Sequence, residues 1–501
     1  MKKIAISLGL ALVSVSLTAQ DIYDGLRYST QELTGTARFV GMGGAFGALG
    51  NDLSSLKVNP AGSAVFTTNA AAFTFDHRKN RVSTEFGDAG LEIGNTTSRR
   101  TRLGMPQAGG VFVFESNDPN ATFRKFTFGV NYERTGNFNR NFRAFGTTNE
   151  SIGNYFVGGA NNFIPYDELR VRPGEIRDNV YSYIGEKYDF YRQEAFLALE
   201  SGVISPITEN ENETQYQSNI IGSSYGNDMS QRESGVNSVI NFNLGTQIND
   251  NLYIGANLNA HIINFDRFTS YYESVNNPEG EVIDLFYEND LRVRGGGFSM
   301  QLGAIYVIEG LRLGASVTTP TWYNIEKEIT QGIDVFFQDE TIERVFPNVI
   351  NFFDYSFRSP GKATGSLAYV FGQSGLISLD YTYIDYTTQR FSNAPGFGGI
   401  IDDTFQATHN FNAGGEFVVN DWSFRTGYHF SQTPFKDDML FGDTQGVSLG
   451  FGYKFGSNNI DFAWQRTFFD RADEFVQTGI QRPAFSNNRI TQIMMTYSFL
   501  F

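Results

Sequence analysis

LYIGANLNAHI, residues 252–262, is the stretch that decides how this chain folds. Leu252, Ile254, Ala256, Leu258, Ala260 and Ile262 are apolar, and Asn257, Asn259 and His261 alternate with them. A period of two with one apolar and one polar face is a strand whose two sides meet different surroundings. VSLGFGYKF (447–455) repeats the pattern: Val, Leu, Phe, Tyr and Phe face one way, and Ser448, Gly450, Gly452 and Lys454 the other. The last eleven residues do so again, with Ile493, Met495, Tyr497, Phe499 and Phe501 against Gln492, Thr496 and Ser498.

Working outward, the same reading predicts strands over 70–76, 108–115, 125–133, 236–248, 251–266, 293–308, 311–319, 362–371, 376–386, 407–419, 422–430, 446–455, 459–469 and 490–501. That is an even number, fourteen. The connections alternate short and long. Short ones lie near 116–124, 249–251, 309–310, 372–375, 420–421 and 456–459. Long ones span 77–107, 134–235, 267–292, 320–361, 387–406, 431–445 and 470–489. A soluble sandwich has no cause for this alternation, whereas a transmembrane barrel has short periplasmic turns and long extracellular loops. The expected fold is therefore all-β: a 14-stranded antiparallel transmembrane β-barrel.

Two turns fix the register. Glu309-Gly310 fits a two-residue hairpin turn between Ile308 and Leu311. Asn420-Asp421 closes a second hairpin, which puts Glu416 opposite Arg425, both inward. A slip of one residue would put both charges into lipid, at roughly 2–4 kcal/mol for an arginine at the midplane. Tyr369, Phe371, Phe417, Trp422, Tyr453, Phe455, Tyr497, Phe499 and Phe501 all fall at the short-turn ends on the apolar face, as an interfacial aromatic girdle does. By parity Lys362, Arg425 and Lys454 point into the lumen. They either await a ligand carboxylate or pair with Glu416, Asp461 and Asp380.

The first residues concern address. Lys2 and Lys3 precede an apolar run, Ile4–Leu17, that ends in Thr18-Ala19. This reads as a signal peptide, 1–19. Beyond it no apolar run is long enough for a membrane helix. Losing the two lysines takes the formal charge from −16 to −18, which argues against a nucleic-acid partner. With no cysteine in the chain, stability must come from packing and the sheet. Loop 134–235 is too long for a plain connection. In it Tyr188, Tyr191, Leu199 and Val203 recur near helical spacing with Phe196 beside them, an amphipathic helix that either packs on its neighbours or lines a groove for an apolar ligand.

Ahead of the strands stands GMGGAFGALG (41–50), then Asp52-Leu53-Ser54, then Asn59-Pro60-Ala61-Gly62. This run resembles the N-terminal signature of the FadL/TodX family of outer-membrane transporters for long-chain fatty acids and other hydrophobic compounds. SLAYVFGQSGLISLDYTYIDY (366–386) and HNFNAGGEFVVNDWSFRTGYHFSQTPF (409–435) resemble its later hairpins. Residues 77–235 carry no part of the resemblance, and Gln20–Arg38 is longer than the family pattern.

The resemblance implies an N-terminal hatch, 20–68, plugging the lumen of a barrel formed by 69–501. Gly41, Gly43, Gly44, Asp52, Ser54 and Asn59–Gly62 would form hatch or gate. It implies a channel for a hydrophobic small molecule, with loop capture, hatch movement and release sideways into outer-membrane lipid. Asn59-Pro60-Ala61-Gly62 is at the least a turn. Phe501 is the expected contact of the barrel assembly machinery. No cofactor, metal site or catalytic residue is indicated: His77, His261, His409 and His429 form no spaced cluster, and no Gly-x-Ser-x-Gly occurs. The rival readings are a general polar porin and a haem-binding outer-membrane protein.

Overall fold

A computed structural model describes residues 22–118, 120–347, 349–392, 397–475 and 480–501; the signal-peptide segment lies outside them. Fourteen strands close into an antiparallel barrel: β1 (Ala70–Phe86), β2 (Gly94–Glu115), β3 (Phe123–Asn137), β4 (Ser224–Ile248), β5 (Leu252–Asn276), β6 (Val282–Ile308), β7 (Leu311–Thr318), β8 (Lys362–Val370), β9 (Gly375–Asp385), β10 (Ala407–Val419), β11 (Trp422–Ser431), β12 (Thr444–Phe455), β13 (Asn458–Phe475) and β14 (Ile480–Leu500). Each pairs with the next, and β14 returns to β1 with Phe499 beside Ala71.

The exposed face is the apolar one. On β5, Ile254, Leu258 and Ile262 are exposed, while Asn257, Asn259 and His261 between them are buried. This inversion is what a lipid solvent outside and a filled polar interior require. The two turns stand in the expected register, Ile308 opposite Leu311 and Glu416 opposite Arg425. Glu309 and Asn420 adopt φ of 53° and 52°, the left-handed conformation that such hairpin turns use.

Several strands run further than the alternation indicated. β1 continues to Phe86 and β2 begins at Gly94, so the expected loop 77–107 shrinks to 87–93. β4 starts at Ser224 and β5 ends at Asn276. The expected loop 320–361 contains the strands Trp322–Phe337 and Asn351–Arg358. The first continues β7 past Thr319-Pro320-Thr321, and the second meets β8 past Ser359-Pro360-Gly361. Proline has no N–H to give a ladder, so each strand breaks there and resumes.

The extracellular extensions carry a roof of their own. Strand Arg140–Thr148 pairs with β4. Next come the helices α1 (Gly153–Ala160), α2 (Tyr166–Leu169), α3 (Arg177–Lys187) and α4 (Phe190–Glu200). Phe156, Ile184, Phe196, Leu197 and Val203 pack there against Tyr271, Tyr287 and Ile333 from the strands below.

Candidate functional site

The described residues ahead of β1, from Ile22 on, fold against inward-facing wall residues. Helix αN (Ile22–Ser29) is followed by αH (Ala37–Gly41) and by two 3₁₀ turns, Leu53–Lys57 and Pro60–Val65. The signature residues supply the caps. Asp52 accepts from Ser54 N at 2.8 Å and from Thr36 Oγ1 at 2.8 and 2.9 Å. Ser54 Oγ accepts from Thr36 N at 2.8 Å. Asn59 Oδ1 accepts from Ala61 N at 3.1 Å, opening the turn that begins at Pro60.

Asn59 also reaches the wall. Its Nδ2 donates to Gly47 O at 2.7 Å and to Ala304 O, on β6, at 3.0 Å. Further fasteners surround the segment. Asp380 of β9 accepts from Phe46 N and Gly47 N, both at 2.9 Å. Arg38 holds Glu416 at 2.9 Å, and Arg425 holds both Glu416 and Asp461, at 2.5 and 2.6 Å. Asn257 donates to Leu56 O, Asn243 to Pro60 O, and Lys57 to Glu133. Backbones approach closely. Gly43 sits at φ 63°, and a Cβ there would lie 2.8 Å from Tyr428 N. Gly41 lies against Gly450, and Gly62 against Gly50. Gly44 has φ 81°.

Above this layer lies a cavity of about 790 Å³, within the usual range for a small-molecule site. Leu33, Phe39 and Val58 of the N-terminal segment border it, and αN passes along it with Leu26 and Tyr28. Asn241, Asn259, His261, Lys362 and Gln465 supply polar wall groups; Phe138, Phe190, Tyr191 and Glu194 line it from the loops. Asp24 of αN is buried and takes Lys327, Arg27 and the Tyr355 hydroxyl, the last at 3.0 Å.

A second cavity, of about 300 Å³, lies in the wall between β2 and β3. The two strands pair only from Gln107–Glu133 to Glu115–Lys125. Above that level β2 follows β1 alone, through a register shift beside Met105-Pro106, and β3 follows β4. The carbonyls that β3 would have offered β2 bond inward instead: Thr34 Oγ1 donates to Arg134 O, and Glu32 N to Thr135 O at 2.8 Å. Leu103 and Met105 line the wall cavity and are exposed on the barrel's outer face; Arg78 and Asn137 line both cavities. Two ion pairs bar the passage. Arg134 reaches Asp76 at 2.6 Å, across Gly104 of β2, and Arg78 reaches Glu32 at 2.7 Å.

The structure disperses some of the residues picked from sequence. Phe196 and Val203 are fully buried in the roof and Leu199 packs against it. Tyr188 ends α3, where Lys187 and Arg192 stand over its ring. Only Tyr191 of the five borders the cavity. The stripe extended past the helix at both ends, so its residues do not share one face. Lys454 keeps the inward parity but stands exposed in the last pair but one before the turn at Gly456, away from the cavity. Lys362 does border it, with Gln31 Oε1 at 3.1 Å rather than Asp380 as partner. Arg38, Lys57, Arg78, Glu133 and Arg134 went unnoticed. A charge at the inward parity of a strand is a readable signal for Arg78 and Glu133, although the strand over 70–76 stops short of Arg78; Arg134 has the outward parity of Phe126 and Phe128 and lies one residue past the expected strand 125–133.

No protein-family profile and no curated protein matches the sequence. Solved structures do match in fold. A FadL homologue of Pseudomonas aeruginosa is similar at TM-score 0.53 and 14% identity, over 94% of this chain and 100% of that one. The P. putida toluene transporter TodX is similar at 0.53 and 13%, over 94% and 99%. CymD, described as a monoaromatic hydrocarbon channel, is similar at 0.50 and 12%, over 94% and 99%.

Proposed function

We propose that this chain conducts small hydrophobic molecules across the outer membrane, taking them from the outside into the central cavity and releasing them sideways through the wall between β2 and β3. The observation that carries this reading is the shared border of the two cavities at Arg78 and Asn137, set against a straight route to the periplasm that is filled by residues 37–65, most of them buried. Residues 20–68 then act as the hatch. A hydrophobic solute gains nothing from a wet pore, but from the central cavity the wall opening leads it directly into hydrocarbon. Long-chain fatty acids are the proposed cargo, with Lys362, which lines the cavity and donates to Gln31, the proposed cation for the carboxylate. Toluene-sized arenes are the alternative that the similar structures recommend. Phe501, just past the closing strand, serves the assembly machinery.

Leu103→Trp tests the route, because it adds bulk at the outer mouth without touching the lumen. Uptake of a labelled long-chain fatty acid or of toluene by cells carrying the variant should fall by about tenfold, equivalent to roughly 1.4 kcal/mol on the barrier, with the barrel still heat-modifiable. Unchanged uptake of both solutes would sink the lateral route. A large steady ion current through the wild-type protein in a planar bilayer would favour a polar porin instead.

A further inference from the structure

Three arginines stand side by side on the outside of the barrel. Arg81 of β1 lies directly opposite Arg99 of β2 on one side and Arg489 of β14 on the other. All share the outward parity of Phe73 and Phe75; Arg81 and Arg99 are exposed and Arg489 is half-buried. Two residues nearer the periplasm, Lys79 lies between Thr101 and Thr491, and Arg466 of β13 lies opposite Thr491. Among the described residues none of these five cations makes an ion pair. Arg489 lies over the Phe468 ring at 5.4 Å, and its Nε is buried without a hydrogen-bond partner. The nearest outward carboxylates, Asp470 and Glu85, stand farther from the membrane, and Asp470 is engaged by Asn487 at 2.6 Å.

Like charges directly opposite one another destabilise a sheet. Here two such pairs adjoin, in a chain whose net charge is −16. The position of the row says what relieves it. From Ala71, beside the girdle residue Phe499, to Arg81 is about ten residues. At ~3.3 Å each and a tilt of ~40°, that rises about 25 Å along the membrane normal, the height of the apolar band. The row therefore stands at the headgroups of the outer leaflet. Guanidinium forks match phosphate oxygens in pairs, and the long stems of Lys79 and Arg466 let their charges reach the same level.

We propose that Arg81, Arg99 and Arg489, with Lys79 and Arg466 below them, form a binding site on the barrel's outer wall for the phosphates of an anionic outer-leaflet glycolipid. The full chain, purified in neutral detergent, is offered diphosphorylated lipid A, the same lipid after removal of its phosphates, or inorganic phosphate. Retention is read by native mass spectrometry and thermal unfolding. Phosphorylated lipid should be retained and should raise the unfolding temperature, and loss of its phosphates should weaken retention by about tenfold or more. Arg81→Gln/Arg99→Gln/Arg489→Gln should weaken it equally, while unfolding in lipid-free detergent no earlier than wild type. Equal retention of the dephosphorylated lipid overturns the site, and needs no variant to observe. Equal protection by inorganic phosphate overturns the lipid as its ligand.

Discussion

Glu194 sits on α4 with its carboxyl buried, where Tyr155 donates to it at 2.5 Å, Gln331 at 3.0 Å and Tyr287 at 3.3 Å. Burial pushes this carboxyl up to about 7, against the pull of those three donors. A carboxyl raised above its unfolded value of about 4.3 stabilises the folded roof in its neutral form. That contribution is complete below the unfolded value and is lost as pH rises through about 7. Its full size is on the order of 3 kcal/mol. The loop region 149–223 should therefore be cleaved by added protease more readily at pH 8 than at pH 5.5. Glu194→Gln keeps an acceptor for Tyr155 but removes the titration, so its cleavage should depend less on pH and be slower than wild type at pH 8. Superimposable pH profiles for the two proteins would show that another group sets the roof's stability. Because Glu194 also borders the central cavity, a change in the roof is a change in the ceiling of the proposed transport path.

At the scale of elements, the joint between αH and the wall depends on atoms that are missing. A Cβ on Gly427 of β11 would lie 2.1 Å from Gly43 N and 2.3 Å from Met42 C, with backbone on both sides. Neither atom belongs to a side chain that could swing away, so αH must move if Gly427 becomes alanine. Gly365 of β8 is the matched control, since a Cβ there meets nothing within 4 Å. Gly427→Ala should keep a heat-modifiable barrel and show a higher steady conductance in a planar bilayer, with Gly365→Ala at the wild-type level. Conductance unchanged in both would mean that the segment accommodates the methyl without opening a path. This joint was legible only in outline. The glycine-rich run announces close approach, but which wall glycine meets which residue of the N-terminal segment depends on strand tilt and register across the lumen. The strands themselves were legible where lipid and lumen differ. In β5 the alternation of Ile254, Leu258 and Ile262 with Asn257, Asn259 and His261 identifies strand, face and register together. It fails in HRKNRVSTEF (77–86): the outward side chains His77, Lys79 and Arg81 turn polar toward the headgroup level, while the inward ones change from Arg78 and Asn80 to Val82 and Phe86, which pack in the roof, so no single apolar face persists, although the ladder to β2 and β14 continues. The wall gap was hidden for the opposite reason. Nothing in the residue pattern of β3 tells that Arg134 O and Thr135 O bond to Thr34 and Glu32 rather than to β2.

The whole molecule joins two constructions of unequal continuity. Its wall is a ladder in which every strand pairs with two neighbours, parted where β2 and β3 separate above Gln107 and Glu133, so it gives way only when many backbone bonds fail together. The segment before β1 has little secondary structure of its own. Side chains at separated points hold it: Asp380, Glu416, Asn243, Asn257, Glu133 and the carbonyls facing Asn59. Partly independent units of this kind open at different free energies, and urea weakens the less continuous one first. In a planar bilayer the wild-type protein should conduct little. At about 2–4 M urea its conductance should step up to a single higher level and return when urea is withdrawn, while the barrel stays resistant to detergent and heat-modifiable. Replacing Asp380 by asparagine should lower the urea concentration at which the step occurs, because it takes away the charge that holds Phe46 N and Gly47 N. If instead conductance stays low until the barrel itself unfolds, segment and wall form one cooperative body. The hatch would then have to admit its solute by small shifts at the Arg78 and Arg134 ion pairs rather than by leaving the lumen.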